Sequence, residues 1–85
     1  MKSSRLDDRD QPVYSMGVVE RLTGLSGRRI RYYEQVGLIH PARTAGRHRL
    51  YSPRQVELLR NIRRLMDRRL TTDKVKRILE LSRAE

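Results

Sequence analysis

The stretch Ser26-Gly27-Arg28-Arg29-Ile30-Arg31-Tyr32-Tyr33-Glu34-Gln35-Val36-Gly37-Leu38 most narrows what this chain can fold into. Ser26 suits a helix N-cap, because its hydroxyl accepts a hydrogen bond from an orphan N–H of the first turn. Gly37 suits the stop, since glycine takes the left-handed conformation past a helix end without steric cost. The spacing predicts a helix of about three turns between them. Arg28, Arg31 and Tyr32 fall at i, i+3 and i+4 and share one face, while Ile30 and Tyr33 share a neighbouring one. Arg28, Arg29 and Arg31 sit near the positive end of the macrodipole, so helix stability does not account for them. A polyanionic partner does. A helix that offers Arg and Tyr from its N-terminal half carries what a DNA major groove reads.

Arginines on a helix are most often a solvated face, so the flanking sequence must decide. Residues 1–12 are charged and lack apolar periodicity, and they read as a frayed arm or as a helix in need of a partner. Val13-Tyr14-Ser15 suits a short strand. Met16 to Leu22 reads as a helix capped by Ser15, with Val18, Val19 and Leu22 facing inward. Thr23-Gly24-Leu25 then turns the chain into the Ser26 cap, and two short helices joined by such a turn make a helix-turn-helix. After Gly37, Pro41 breaks any helix and Ala45-Gly46 offers a turn, so Arg43 to Tyr51 reads as a hairpin. Arg43, Arg47, His48 and Arg49 surround its tip, with Leu50 and Tyr51 as its anchor. A basic hairpin directly after such a helix is a wing, able to lie on phosphates or in the minor groove.

Ser52-Pro53 starts a third helix that should run to about Arg69, with Leu58, Leu59, Ile62, Leu65 and Met66 on its core stripe. Arg60, Arg64 and Arg68 repeat at i, i+4 and i+8 on the other side, where Asp67 can relieve part of their repulsion. A solvated face and a phosphate-facing role are both open there. Thr72 is the expected cap of a fourth helix, with Val75, Ile78 and Leu79 on its apolar side closing the core. The reading is a mainly α fold with a small β-hairpin wing: an arm over 1–14 that is a possible dimerisation segment, and a winged helix-turn-helix over 15–82.

Composition agrees. The chain has 20 Lys+Arg against 10 Asp+Glu, a net charge of +10 in 85 residues, and seventeen of the basic residues are arginine. From Gly27 through Arg54 stand seven arginines and one acid, Glu34. Guanidinium forks suit phosphates and guanine edges better than a lysine point charge does. There is no cysteine, which excludes disulfides, thiolate metal sites and cysteine nucleophiles. No apolar run approaches a membrane span and the N-terminus has no signal-peptide core, so the expected location is the cytoplasm. His40 and His48 lack acidic partners at a metal-ligand or catalytic spacing, the glycines form no phosphate loop, and Glu20 and Glu34 read as helix-surface acids. The chain reads as a binding module without enzymatic chemistry, cofactor or metal.

These residues resemble a known family. Met16-Gly17-Val18-Val19, Thr23-Gly24-Leu25-Ser26, Ile30-Arg31-Tyr32-Tyr33-Glu34, Gly37-Leu38-Ile39 and Arg49-Leu50-Tyr51-Ser52 are similar to the DNA-binding domain of MerR family transcription regulators. The likeness runs from about Val13 to Leu81. Within the family, Ser15-Met16-Gly17-Val18-Val19, Leu22 to Ser26, Arg28 and Ile39-His40-Pro41-Ala42-Arg43 resemble most the nitrogen regulators of the GlnR/TnrA type, with the heat-shock repressor branch as rival. The resemblance implies a winged helix-turn-helix homodimer on an inverted-repeat operator in promoter DNA. It implies base or phosphate contacts from Arg28 and Arg31, with Tyr32 and Arg29 on the backbone. Arg43, Arg47 and Arg49 would be wing contacts, and Arg60 is a candidate phosphate contact from the third helix. The nitrogen branch implies operators with TGT and ACA ends, and a C-terminal tail that answers to glutamine synthetase.

Many members of the family continue into a long coiled coil and an effector domain, whereas this chain stops at Glu85. It is expected to be shortened or to sense nothing by itself. Leu6, Val13 and Tyr14 offer the arm little apolar area, so the dimer is expected to be weak or to form on DNA. An excisionase-type architectural protein that bends DNA is the alternative within duplex binding. An RNA or membrane-surface module is a poorer fit, since four Tyr with no Phe or Trp make few stacking platforms or interfacial anchors.

Overall fold

The computed structural model describes residues 8–83. A 3-10 turn at Asp8–Asp10 leads into α1 (Met16–Thr23), α2 (Gly27–Gln35), the strands β1 (Ala42–Arg43) and β2 (Arg49–Leu50), then α3 (Pro53–Asp67) and α4 (Thr72–Arg83). β1 and β2 pair antiparallel, Ala42 opposite Leu50 and Arg43 opposite Arg49. Before α1, Tyr14 bridges Tyr51, its N–H donating to the Tyr51 carbonyl at 2.9 Å and its carbonyl accepting from the Tyr51 N–H at 2.8 Å. The expected strand at 13–15 is thus a single bridge. The first seven residues of the arm lie outside the described residues. The turn at Asp8–Asp10 packs against α3, where Arg54 Nε donates to Asp10 Oδ1 at 2.6 Å.

One core joins every helix. It contains Val19 of α1, Leu25 of the turn, Ile30 and Tyr33 of α2, Leu38 and Ile39, Tyr51, Val56, Leu59 and Ile62 of α3, and Val75 of α4. Leu58, Leu65 and Met66 pack around it and Val56 lies in it, so the buried stripe of α3 is centred nearer Val56 than the sequence predicts. α3 ends at Asp67 and Arg69 follows at φ 63°, two residues short of the expected end.

The inward face of α1 differs from expectation. Val19 is fully buried, but Val18 and Leu22 are 37% and 39% exposed, and the second inward residue is Thr23. A threonine can be buried there because its hydroxyl donates to the Val19 carbonyl at 2.8 Å and accepts from the Leu25 N–H at 3.1 Å. Two arginines of α3 finish the helix end: Arg60 donates to the Leu22 carbonyl at 3.0 and 3.2 Å, and Arg63 to the Thr23 carbonyl at 2.7 Å. Cations on orphan carbonyls at the negative end of the dipole are favourable.

Caps follow the expected positions with two corrections. Ser26 accepts from Arg29 N–H at 3.1 Å, and Ser52 with Gln55 closes a reciprocal capping box ahead of Pro53. Ser15 stands at the α1 N-cap but its side chain makes no cap bond. The cap of α4 is Thr71 rather than Thr72, its hydroxyl accepting from Lys74 N–H at 3.2 Å. Ile78 is 39% exposed, so α4 closes the core mainly through Val75 and Leu79.

Candidate nucleic-acid interface

The turn between α1 and α2 brings Glu20 to the start of α2, where its Oε2 accepts the Gly27 N–H at 2.5 Å. A carboxylate at that terminus offsets the arginines that crowd the same turn. Gly27 allows the approach, because a Cβ there would meet Glu20 Oε2 at 3.0 Å and Met16 Cγ at 3.3 Å. Ile30 and Tyr33 then anchor the inner face of α2 and leave Arg28, Arg29, Arg31 and Tyr32 outward. Tyr32 is 46% exposed, its ring tilted against Tyr33 with centroids 6.0 Å apart. The Tyr33 hydroxyl beside Arg29 raises its guanidinium pKa, through an approach that falls short of hydrogen-bond geometry.

Arg28, Arg31 and Arg47 make no side-chain hydrogen bond or ion pair among the described residues. A cleft between the start of α1, α2 and the wing is lined by Arg31, Arg47, His48 and Arg49 together with Ser15, Met16 and Gly17. A second, shallower one along α2 is lined by Ser26, Arg28, Arg29 and Tyr32. A larger groove, lined by Pro12, Leu38, Ile39, Pro41 and Leu58, holds none of the arginines of α2 or the wing.

The wing tip is a three-residue loop. Arg47 N–H donates to the Thr44 carbonyl and Thr44 N–H to the His48 carbonyl, both at 2.9 Å, and Arg47 takes a left-handed φ of 69°. Thr44 Oγ1 also accepts the His48 N–H at 3.1 Å. At the base of the wing Glu34 accepts from Arg43 Nη2 at 2.9 Å and from Arg49 Nε at 2.7 Å. Burial alone would raise the Glu34 carboxyl pKa; the bonds and charge of Arg49 and Arg43 outweigh it and hold the carboxyl below its ordinary value. Burial pushes the Tyr51 hydroxyl up, and the charges of Arg49, Glu34, Arg43 and Arg31 around it partly cancel.

The eight arginine and tyrosine candidates therefore divide. Arg28, Arg29, Arg31, Tyr32 and Arg47 stand together on α2 and the wing, Arg43 and Arg49 sit at the wing base on Glu34, and Arg60 is on the Leu22 carbonyl. Glu20 and Glu34, expected to be plain surface acids, instead tie elements together. Glu34 carried a signal in the sequence as the one acid among seven arginines; Glu20 carried none, because its partner lies across a turn. Along α3 it is Glu57 that approaches Arg60 and Arg64, at 3.8 and 3.7 Å, where Asp67 was expected.

No helix among the described residues is long and apolar enough to cross a membrane, and none of their His, Asp or Glu side chains group in threes to hold a metal. Comparison with known proteins gives a consistent result. The chain is 45% identical over 73 residues to a putative heat shock protein HspR of Streptomyces coelicolor, covering 85% of this chain and 48% of that one. It is 42% identical over 73 residues to the transcriptional regulator GlnR of Bacillus anthracis, covering 86% and 57%. With the transcriptional regulator TnrA of Bacillus subtilis it shares 50% identity over 54 residues, 64% of this chain and 49% of that one. The chain thus spans about half the length of the curated relatives it matches. The profile of MerR HTH family regulatory proteins matches residues 14–82, nearly everything from Tyr14 onward, and the chain belongs to that family of DNA-binding regulators.

Proposed function

We propose that this chain reads duplex DNA in a sequence-specific way at promoters and so regulates transcription. The observation that carries this is the division of the arginines. Among the described residues the side chains of Arg28, Arg31 and Arg47 on α2 and the wing make no hydrogen bond or ion pair, while those of Arg60 and Arg63 are bonded within the fold. Unpaired cations gathered on one helix and its wing serve a partner, since they add repulsion to the folded state. α2 is the major-groove element and Arg47 the wing contact to phosphate. Two copies on an inverted repeat, associating weakly or only on DNA, complete the reading.

The gene set we propose is nitrogen assimilation, supported by the likeness to GlnR and TnrA. A heat-shock operator is the second reading, favoured by 45% identity to HspR. Anisotropy titrations with labelled duplexes test the first: one inverted repeat with TGT and ACA ends, one with the ends scrambled. Binding roughly a thousandfold tighter to the intact repeat is the expected result, in the ordinary range of specific over non-specific affinity. Equal binding to both duplexes ends the nitrogen reading, and footprinting on chaperone-gene promoters then tests the heat-shock one.

A further inference from the structure

The wing is too small to hold its own position. Each strand has two residues, and an isolated two-stranded hairpin is marginal in water even when longer. Every residue from Ala42 through His48 is solvent-exposed, so packing does not hold the tip. What joins the wing to α2 is Glu34. Its carboxylate takes one oxygen to Arg43 on β1 and the other to Arg49 on β2. Among the described residues no other α2 side chain is hydrogen-bonded to the wing. Arg43 also donates through Nη1 to the Arg47 carbonyl at 3.4 Å, so the connection extends from α2 to the residue at the tip.

These are charge-assisted bonds to a side chain only 22% exposed, so salt screens them less than it would a surface pair. An arginine that left Glu34 for a phosphate would exchange one anion for another. It would also leave one oxygen of a half-buried carboxylate without its partner next to the DNA backbone, which is costly.

We propose that Glu34 is a positioning residue for DNA recognition: by binding one arginine from each wing strand it sets the wing against α2 and withholds Arg43 and Arg49 from phosphate. The proposal rests on the DNA-binding reading above and sharpens it. Arg28, Arg31 and Arg47 face the DNA, and two wing arginines hold the shape that presents them. Disrupting the clamp releases two cations, so a variant at Glu34 binds random DNA better while discriminating less.

The salt dependence of binding tests this, because its slope counts phosphate contacts whatever the sequence. Each contact contributes about 0.9 to the slope of log K against log salt. The full chain is titrated on a mixed-sequence duplex and on the TGT/ACA repeat over a salt series. Arg47→Ala is expected to lower the slope by about 0.9, whereas Arg43→Ala and Arg49→Ala leave it nearly unchanged. Glu34→Gln, close in shape to the native residue, and Glu34→Ala are expected to steepen it by up to about 1.8 on the mixed duplex. In the combined Glu34→Ala, Arg49→Ala chain the steepening drops by about half, a non-additivity that marks direct coupling. Circular dichroism and melting confirm the folded state; should Glu34→Ala fail to fold, Glu34→Gln and the two arginine variants decide the matter alone. Slopes for Arg43→Ala and Arg49→Ala that fall as far as that of Arg47→Ala, or an unchanged slope for Glu34→Gln, overturn the proposal while DNA binding stands. No binding of the unaltered chain to either duplex overturns the functional reading itself.

Discussion

Arg47 holds a left-handed φ of 69° at the wing tip, a conformation that costs a non-glycine residue roughly 1–2 kcal/mol. A loop of this kind ordinarily places glycine there, and Gly46 is one position too early. Arg47→Gly is therefore expected to stabilise the fold by up to about 1 kcal/mol, read as a higher midpoint in urea, and to weaken duplex binding. A weaker fold together with unchanged binding would contradict both halves. Glu34 gives a pH signature. Its carboxyl is held lower in the folded chain than in the unfolded one, so its contribution is complete above the ordinary value near pH ~4.3 and fades as pH falls through the depressed value. The gap in melting temperature between the native chain and Glu34→Gln should be full near neutrality and close as pH falls through that depressed value. A gap that widens on acidification would reverse the sign and remove this account of Glu34. Arg28→Ala is expected to flatten the difference between operator and scrambled duplex, at about 1–3 kcal/mol for a lost bidentate guanine contact. Arg60→Ala removes both bonds to the Leu22 carbonyl and should show first as a lower melting temperature.

At the scale of the element, three serines in the same N-cap position differ in what they do. Ser26 and Ser52 accept bonds from Arg29 and Gln55, and Ser15 accepts none. Alanine at 26 or 52 should cost about 1 kcal/mol in denaturant melts, and alanine at 15 much less. Equal losses at all three would mean that cap geometry is not what stabilises these helices. Gly24 closes α1 at φ 75° with its N–H on the Glu20 carbonyl, and a Cβ there would run into the Arg63 guanidinium. The four helices, the turn and the hairpin were legible from caps, breakers and periodicity, all of which are local. The inward face of α1 was not. Val18 and Leu22 are better apolar residues than Thr23, and only the bonds to Val19 and Leu25 make Thr23 the one buried.

Across the whole molecule, a single small core carries all four helices, so truncating its centre is severe. Leu59 is fully buried in α3, and Leu59→Ala should cost about 2–5 kcal/mol, a large share of what a domain this size has. Sedimentation with and without an inverted-repeat duplex examines the assembly: two copies on the repeat and dissociation without it are expected, and a tight dimer at nanomolar protein without DNA would contradict that. The sequence by itself determined the order of elements, the basic character of α2 and the wing, and the family, because capping, chain reversal and charge are properties of neighbouring residues. Tertiary structure alone decided which cations are bonded within the fold. Arg43 and Arg49 meet Glu34 from 9 and 15 residues away, and Arg60 reaches Leu22 across 38. A side chain's partner depends on where the backbone has already been carried by the packing of α1, α2 and α3, and sequence spacing does not encode that distance.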